Sequence, residues 1–321
     1  MKVSLKKILK IVLPIGIGLF FIWYSLHGAT EKEKEELWNS IINANPLWVI
    51  ISALLGVLAH LSRAYRWRFL VESLGYQPRL SISYMALMIG YLANLGIPRS
   101  GEILRAATLS NYEGIPFQKS IGTIISERII DLVMLLVVVA LGFLANTSLF
   151  LTYLESKNIN LLQILSSAIL LSVFLAIGYY VVKKTKIKAL EKIKKIILEV
   201  YEGILSLFRM KKRIPFVLHT LIIWGGYILM FYVMKFAIPE IQDMEFSATL
   251  MAFIVGSFAM TTTNGGIGVF PYSIGLVLLL FNIDESVGTA YGWILWGAQT
   301  IANIIVGGFS FISLPFFAKK K

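Results

Sequence analysis

The chain has no cysteine. That excludes a disulfide framework, a thiolate metal site and a cysteine nucleophile. It also has little charge: 15% of its 321 residues are charged, against about 25% in ordinary soluble domains. Three histidines, His27, His60 and His219, are scattered without metal-ligand spacing. Asp131, Asp243 and Asp284 stand alone, so no paired-aspartate sugar-nucleotide site is present. No Walker loop occurs, which excludes transport driven by ATP bound to this chain. No catalytic constellation is visible, so the sequence does not read as an enzyme, and nothing calls for a cofactor. The longest polar stretch, 183–213, is a connecting segment and leaves no room for a separate soluble domain.

What the chain has in quantity is apolar sequence, 57% of its residues. Several runs approach or exceed the ~18 apolar residues that read as a membrane span. The expected class is an all-α, multi-pass membrane protein. The net charge of +12 then marks cytoplasmic loops and contacts with anionic lipid head groups. No nucleic-acid-binding module accompanies it, so nucleic acid is not an expected partner. The N-terminal run has a long apolar core and no clean cleavage site, and reads as an uncleaved first helix rather than a signal peptide.

Apolar segments fall at about 8–26, 46–62, 81–97, 121–145, 161–182, 215–237, a broken pair at 247–261 and 269–281, and 287–315. Lys2, Lys6, Lys7 and Lys10 place the N-terminus in the cytoplasm, and EKEKEE places the following loop outside. A single span at 81–97 would strand Arg99, Arg105, Lys119 and the lysine-rich stretch 183–213 outside. A re-entrant hairpin over 81–118, entering from the cytoplasm and returning there, removes the conflict. The pair 247–281 lies between acidic links and has arms too short for comfortable spans, so it reads as a second hairpin entering from outside. All 30 basic residues then lie inside except Lys32, Lys34, Lys157, Lys235 and the intramembrane Arg128.

The expectation is about six spans and two opposed hairpins, with both termini cytoplasmic in a bacterial plasma or inner membrane. Two helix–hairpin–helix units, 46–145 and 215–314, form an inverted repeat. The domain organisation is 1–45, N-terminal helix and external loop; 46–145, first repeat; 146–214, helix and basic amphipathic helix; 215–321, second repeat and basic C-terminus. Asn94-Leu-Gly-Ile-Pro98 and Asn264-Gly-Gly-Ile-Gly268 break the two units in register. Broken helices at matching positions of inverted repeats mark transporter sites, because irregular backbone at membrane depth must be buried in protein or line a wet cavity.

Of 18 acidic residues, Glu127 and Asp131 fall inside a span, with Arg128 beside them. Each costs about 2.5–3.5 kcal/mol at a helix centre on insertion scales, so they should face protein and be paired. Arg128 can serve one carboxylate and Arg99 or Arg105 the other, with Glu102 a third acid nearby. This is either a static clamp or a cavity whose arginines exchange partners with an anionic substrate; a planar guanidinium suits phosphate. Arg63, Arg66 and Arg68 in LSRAYRWRFL read as interfacial anchors, with Trp67 in the aromatic belt. An inward-turned head-group gate is the second reading. The stretch 187–207 repeats apolar residues at helical spacing with lysines opposite, an amphipathic helix for anionic head groups of the cytoplasmic leaflet.

The segments RAYRWRFLVESLG, NLGIPRSGEILRAATL, SIGTIISERIIDLVML and NGGIGVFP together resemble the lysylphosphatidylglycerol synthase transmembrane region family, over about 46–315. The resemblance implies a lipid flippase domain with membrane lipid as substrate. It directs attention to Asn94, Arg99, Glu102, Arg105, Glu127, Arg128 and Asp131, and to Asn264, Gly265, Gly266 and Gly268. The chain shows no aminoacyltransferase domain beside these helices, so lysyl-lipid synthesis does not carry over. Phe270-Pro271-Tyr272 stands where an acid is expected after the second glycine motif. The functional expectation is a flippase for a phosphate-containing or aminoacylated lipid. The alternative is a non-transporting accessory subunit of lipid or glycan synthesis. Oligomerisation stays open.

Overall fold

A computed structural model of the chain describes residues 19–20, 23–24, 27, 30–97, 99–148, 166, 170 and 210–317. The first apolar segment (8–26) lies largely outside these residues. The segment 161–182 lies outside them but for Ser166 and Leu170, and the amphipathic stretch 187–207 lies outside them entirely. The described residues are helical, with no strand among them. Nine helices are numbered here α1 (Glu31–Ile42), α2 (Pro46–Glu72), α3 (Leu80–Gly96), α4 (Ser100–Glu113), α5 (Phe117–Ala145), α6 (Arg213–Met234), α7 (Phe246–Thr262), α8 (Val269–Leu278) and α9 (Glu285–Ser313). Four continuous segments are long and apolar enough to cross a membrane: Pro46–Glu72, Phe117–Ala145, Arg213–Ala237 and Glu285–Phe317. They correspond to four of the expected spans. The shorter apolar helices are Leu80–Gly96, Phe246–Thr262 and Val269–Phe281.

The chain divides into two compact units, one made of residues up to Glu127 and from Ile214 onward, the other of Arg128–Arg213. In the second unit, the described part is chiefly the distal half of α5. Leu132, Leu136 and Leu144 are exposed there, as suits a helix in lipid, and Asn146 closes its end by donating to the Gly142 carbonyl at 2.9 Å.

Within the first unit, chain ends sort to two opposite poles. At one pole, the Asn45 N–H donates to Ala237 O at 2.8 Å, joining the start of α2 to the end of α6. The Ser286 hydroxyl donates to Glu36 at 3.1 Å, joining α9 to α1. At the other pole, Arg79 donates from Nε to Glu113 at 2.8 Å and from Nη1 to Phe317 O at 2.6 Å. That ties the first residue before α3, the last of α4 and the end of α9. Lys119 donates to the Tyr76 hydroxyl at 3.2 Å, placing the start of α5 beside the end of α2.

α3 and α4 therefore form an antiparallel hairpin. Its arms touch at two glycines: a β-carbon on Gly101 would lie 2.3 Å from Gly90 O. The Asn94 side chain accepts the Gly101 N–H at 2.7 Å, which satisfies one of the donors left open at a helix start. α7 and α8 form a second hairpin whose base is at the other pole. Its turn needs left-handed backbone, and Gly265, Gly266 and Gly268 supply it with φ of 68°, 76° and 71°. α9 serves both hairpins. Near its start Gly292 faces Pro271 of α8, and near its end Gly307 faces Leu92 and Met88 of α3, each too close for a side chain. Small residues at such crossings let helices pack in lipid, where hydrophobic burial gives no drive.

Two expectations about boundaries change. The stretch expected as an external loop contains α1. Its start is a capping box, in which Thr30 and Glu33 exchange hydrogen bonds. These bonds hold the Glu33 carboxyl below the usual range. The T-x-x-E pattern was legible. The apolar segment 46–62 continues as one helix to Glu72, because arginines favour helix well, and Arg63 and Arg66 are buried rather than at an interface.

Candidate functional site

The lining of the first unit begins with α2. Ser52, Gly56, Ala59, His60, Arg63, Arg66, Trp67 and Leu70 are buried, while Leu47, Ile50, Leu54, Leu58 and Tyr65 are exposed. The inward stripe recurs every three or four residues and is small or polar; the outward stripe is apolar. That inversion of the soluble pattern follows from a lipid surround.

At the centre of the buried charges stands Glu127 of α5, 0% exposed. Its Oε1 accepts Arg63 Nε at 2.5 Å and Arg66 Nη2 at 3.3 Å, and its Oε2 accepts Arg105 Nη2 at 2.7 Å. The arginines are 6%, 0% and 4% exposed, so the ion pairs are interior ones and their geometry carries weight. α2 supplies two guanidiniums three residues apart on one face, and the α3–α4 hairpin supplies the third. Arg63 also donates to the Tyr227 hydroxyl at 3.3 Å, and that hydroxyl lies 3.4 Å from His60 Nδ1. The His60 ring packs on Tyr91 with centroids 4.4 Å apart. Arg105 lies over the Trp67 ring at 4.2 Å, and Trp67 is fixed by donating Nε1–H to Thr123 at 3.0 Å.

Several expectations are corrected here. Arg63 and Arg66 are not interfacial anchors, and Trp67 is not in an aromatic belt; all three are buried beside Glu127. The inward-turned reading of this stretch is the one the geometry agrees with. Of the two hairpin arginines, Arg105 reaches Glu127. Arg99 is exposed, adopts left-handed backbone with φ 63°, and precedes α4. Glu102 is half-buried one turn before Arg105. Arg128 is exposed, against the expectation that it faces protein, and Asp131 is half-buried; both belong to the second unit. Sequence reasoning ranked the inward reading of Arg63 and Arg66 second, and it missed the parts of Tyr227 and His60. The stripe of Gly56, His60, Arg63 and Trp67 at helical spacing was the available signal.

The two glycine-rich breaks come together. The Leu95 side chain lies 3.8 Å from where a β-carbon on Gly265 would stand, and Trp296 of α9 donates to Gly265 O at 2.7 Å. Asn94 is occupied in its own hairpin, and Asn264 opens the turn that contains Gly265 and Gly266. Among the described residues no three His, Cys, Asp or Glu side chains converge as a metal site requires.

Such a chain is a multi-pass helical membrane protein with an arginine-rich interior beside two apposed helix breaks. It belongs to the lysylphosphatidylglycerol synthase TM region family, whose model matches residues 11–307. It is 32% identical over 94 residues to the UPF0104 membrane protein MJ1595 of Methanocaldococcus jannaschii, covering 28% of each chain. It is 27% identical over 101 residues to the glycosyltransferase AglD of Haloferax volcanii, covering 31% of this chain and 16% of that one. The matched segments thus span less than a third of either relative. No solved structure matches the chain.

Proposed function

We propose that this protein moves a polar-headed lipid, phosphate-containing or aminoacylated, between the leaflets of a cell membrane. The observation that carries the reading is the meeting of two broken-helix tips, Leu95 against Gly265, from hairpins whose bases lie at opposite poles. In a bilayer, non-helical backbone at this depth is tolerated where it is enclosed by protein or lines a path for something polar.

Lengths support a re-entrant reading of both hairpins. At 1.5 Å per residue, the 17 residues of α3 and of α7 reach about 25 Å, and the 14 of α4 and 10 of α8 reach about 21 and 15 Å. The hydrocarbon core is about 30 Å thick. The pole with Arg79 and Lys119 is then cytoplasmic, and the pole with α1, rich in glutamate, faces outside. In this arrangement 46–145 and 215–314 are inverted repeats, and the head group passes the apposed tips while the tails stay in lipid.

Proteoliposomes carrying a panel of head-group-labelled lipids, read by quencher protection, test this. Faster exchange of one head-group class by wild type, abolished by Arg105→Ala and by Glu127→Gln in folded protein, is the expected result. No exchange of any class, with a working control flippase, would sink it. Topology is read separately by single cysteines at Ser100 and Thr262. Labelling of Ser100 only from the outside is incompatible with the hairpin arrangement.

A further inference from the structure

We propose that the seam between α2 and α6 holds a phospholipid of the leaflet at the Arg79 pole, with Tyr65 and His219 donating to its phosphate. This rests on the translocation reading above and deepens it, by naming where the lipid is loaded.

α2 and α6 run antiparallel, with Ser52 beside Met230 and Ser62 beside His219. They cross closely at Gly226, where a β-carbon would lie 3.3 Å from that of Ala59. Nearer the Arg79 pole, side chains join them. The Ser62 hydroxyl lies 2.7 Å from His219 Nδ1 and 3.4 Å from His219 O. Arg66 donates to the Thr220 hydroxyl at 3.4 Å. Tyr65 stacks on the His219 ring, with centroids 5.3 Å apart and planes 14° apart, and Phe69 packs against the same ring at 5.7 Å.

Two donors are left over on this seam. The shorter contact of Ser62 puts its hydrogen on Nδ1, so the neutral imidazole keeps its own proton on Nε2. Nε2 points away from buried Ser62 and has no hydrogen-bond partner among the described residues. The same holds for the hydroxyl of Tyr65, which is 36% exposed. Around them Leu58, Ile214, Val217, Leu218, Leu221 and Ile222 are exposed. His219 lies six residues beyond Arg213, the first of α6, or about 9 Å along it. Acyl chains at that depth accept no hydrogen bond.

Donors set in an apolar surface select an amphiphile: tails lie on the aliphatic side chains, and an oxygen-rich head meets the donors. A free anion does not reach this depth. Two neighbouring donors suit two oxygens of one phosphate. An ordinary interfacial aromatic anchors a helix without choosing a head group; here Ser62 fixes the edge of the imidazole and Tyr65 its plane. Behind the seam, Thr220 leads to Arg66 and Arg66 to Glu127. A head group docked here is next to the buried charges.

The test is lipid binding to the full chain in detergent, read by native mass spectrometry, for wild type, His219→Phe and Tyr65→Phe. The probes are phosphatidylglycerol, diacylglycerol with the same acyl chains, and inorganic phosphate as competitor. Each substitution keeps the ring stack and removes one donor, so each should weaken phosphatidylglycerol about fivefold, the worth of one hydrogen bond. Diacylglycerol should respond to neither, and inorganic phosphate should not displace the lipid. A phosphatidylglycerol with a photoreactive diazirine in its head group should label 58–69 or 214–222, and the double variant should lose that label. Unchanged phosphatidylglycerol binding, an equal loss for diacylglycerol, displacement by inorganic phosphate, or labelling confined to other segments would each overturn the assignment. If His219→Phe does not fold, Tyr65→Phe decides alone, since its side chain is exposed. Binding that responds as expected in a protein that moves no lipid sinks the translocation reading and leaves this site. A flat response sinks the site even where transport is observed.

Discussion

Arg63 and Glu127 lie 64 residues apart and meet at 2.5 Å in the interior. The contact joins α2 to α5, and Arg66 and Arg105 share the same carboxylate. Removing Glu127 takes from three buried guanidiniums the carboxylate they share, whereas removing Arg66 leaves that carboxylate two of its three arginines. Glu127→Ala should therefore destabilise by about 3–5 kcal/mol. Arg66→Met should cost much less, and the double variant should regain about 1–3 kcal/mol of the loss through coupling. Unfolding in mixed micelles, read as a double-mutant cycle, checks the order. Equal costs for the two single changes would contradict it.

The α3–α4 hairpin depends on Gly101. A β-carbon there would sit 2.3 Å from Gly90 O and 2.7 Å from Asn94 Nδ2. Because the first of these is backbone, the arms must separate. Gly101→Ala should cost about 1–3 kcal/mol, as overpacking does. Gly122→Ala meets nothing within 4 Å and should stabilise by up to about 1 kcal/mol through helix propensity. Thermal melts of the two variants beside wild type decide the matter.

The second tip depends on left-handed glycine and on Trp296. Gly266→Ala combines φ 76° with a contact of 2.6 Å to Met260 Sδ, so it should loosen the tip at a cost of at least about 1 kcal/mol. Trp296→Phe removes the bond to Gly265 O at about 1 kcal/mol. Both should speed labelling of a cysteine placed at Thr262. Gly297→Ala, with nothing within 4 Å, is the control that should leave the rate unchanged.

Arg79 latches the base of the first hairpin to the end of α9. The ion pair with Glu113 is part-exposed, so Arg79→Gln should change global stability by no more than about 1 kcal/mol. Local opening should change more. Hydrogen exchange over 100–113 should quicken, while the centre of α2 keeps its protection. Uniform quickening across both segments would show that Arg79 supports the whole unit and not the hairpin alone.

The sequence by itself determined the class and the rough order of elements. Apolar runs of spanning length and Gly- and Pro-rich breaks are local properties, and lipid acts on them locally. It also singled out Glu127, because charge inside an apolar run has to be compensated, and offered Arg99 or Arg105 as a partner for the intramembrane acids. Where Arg63 and Arg66 point is not local. A hydropathy window ends where arginines begin, so they read as anchors at an interface. A carboxylate delivered by α5 compensates the burial of this stretch, and the α3–α4 hairpin brings Arg105 to the same carboxylate. The same holds for Arg99 and Arg105, six residues apart on one motif. Helix geometry after the turn carries Arg105 inward and leaves Arg99 exposed on left-handed backbone. The meeting of Leu95 with Gly265 was likewise decided by tertiary packing, through the way α9 holds α8 near its start and α3 near its end.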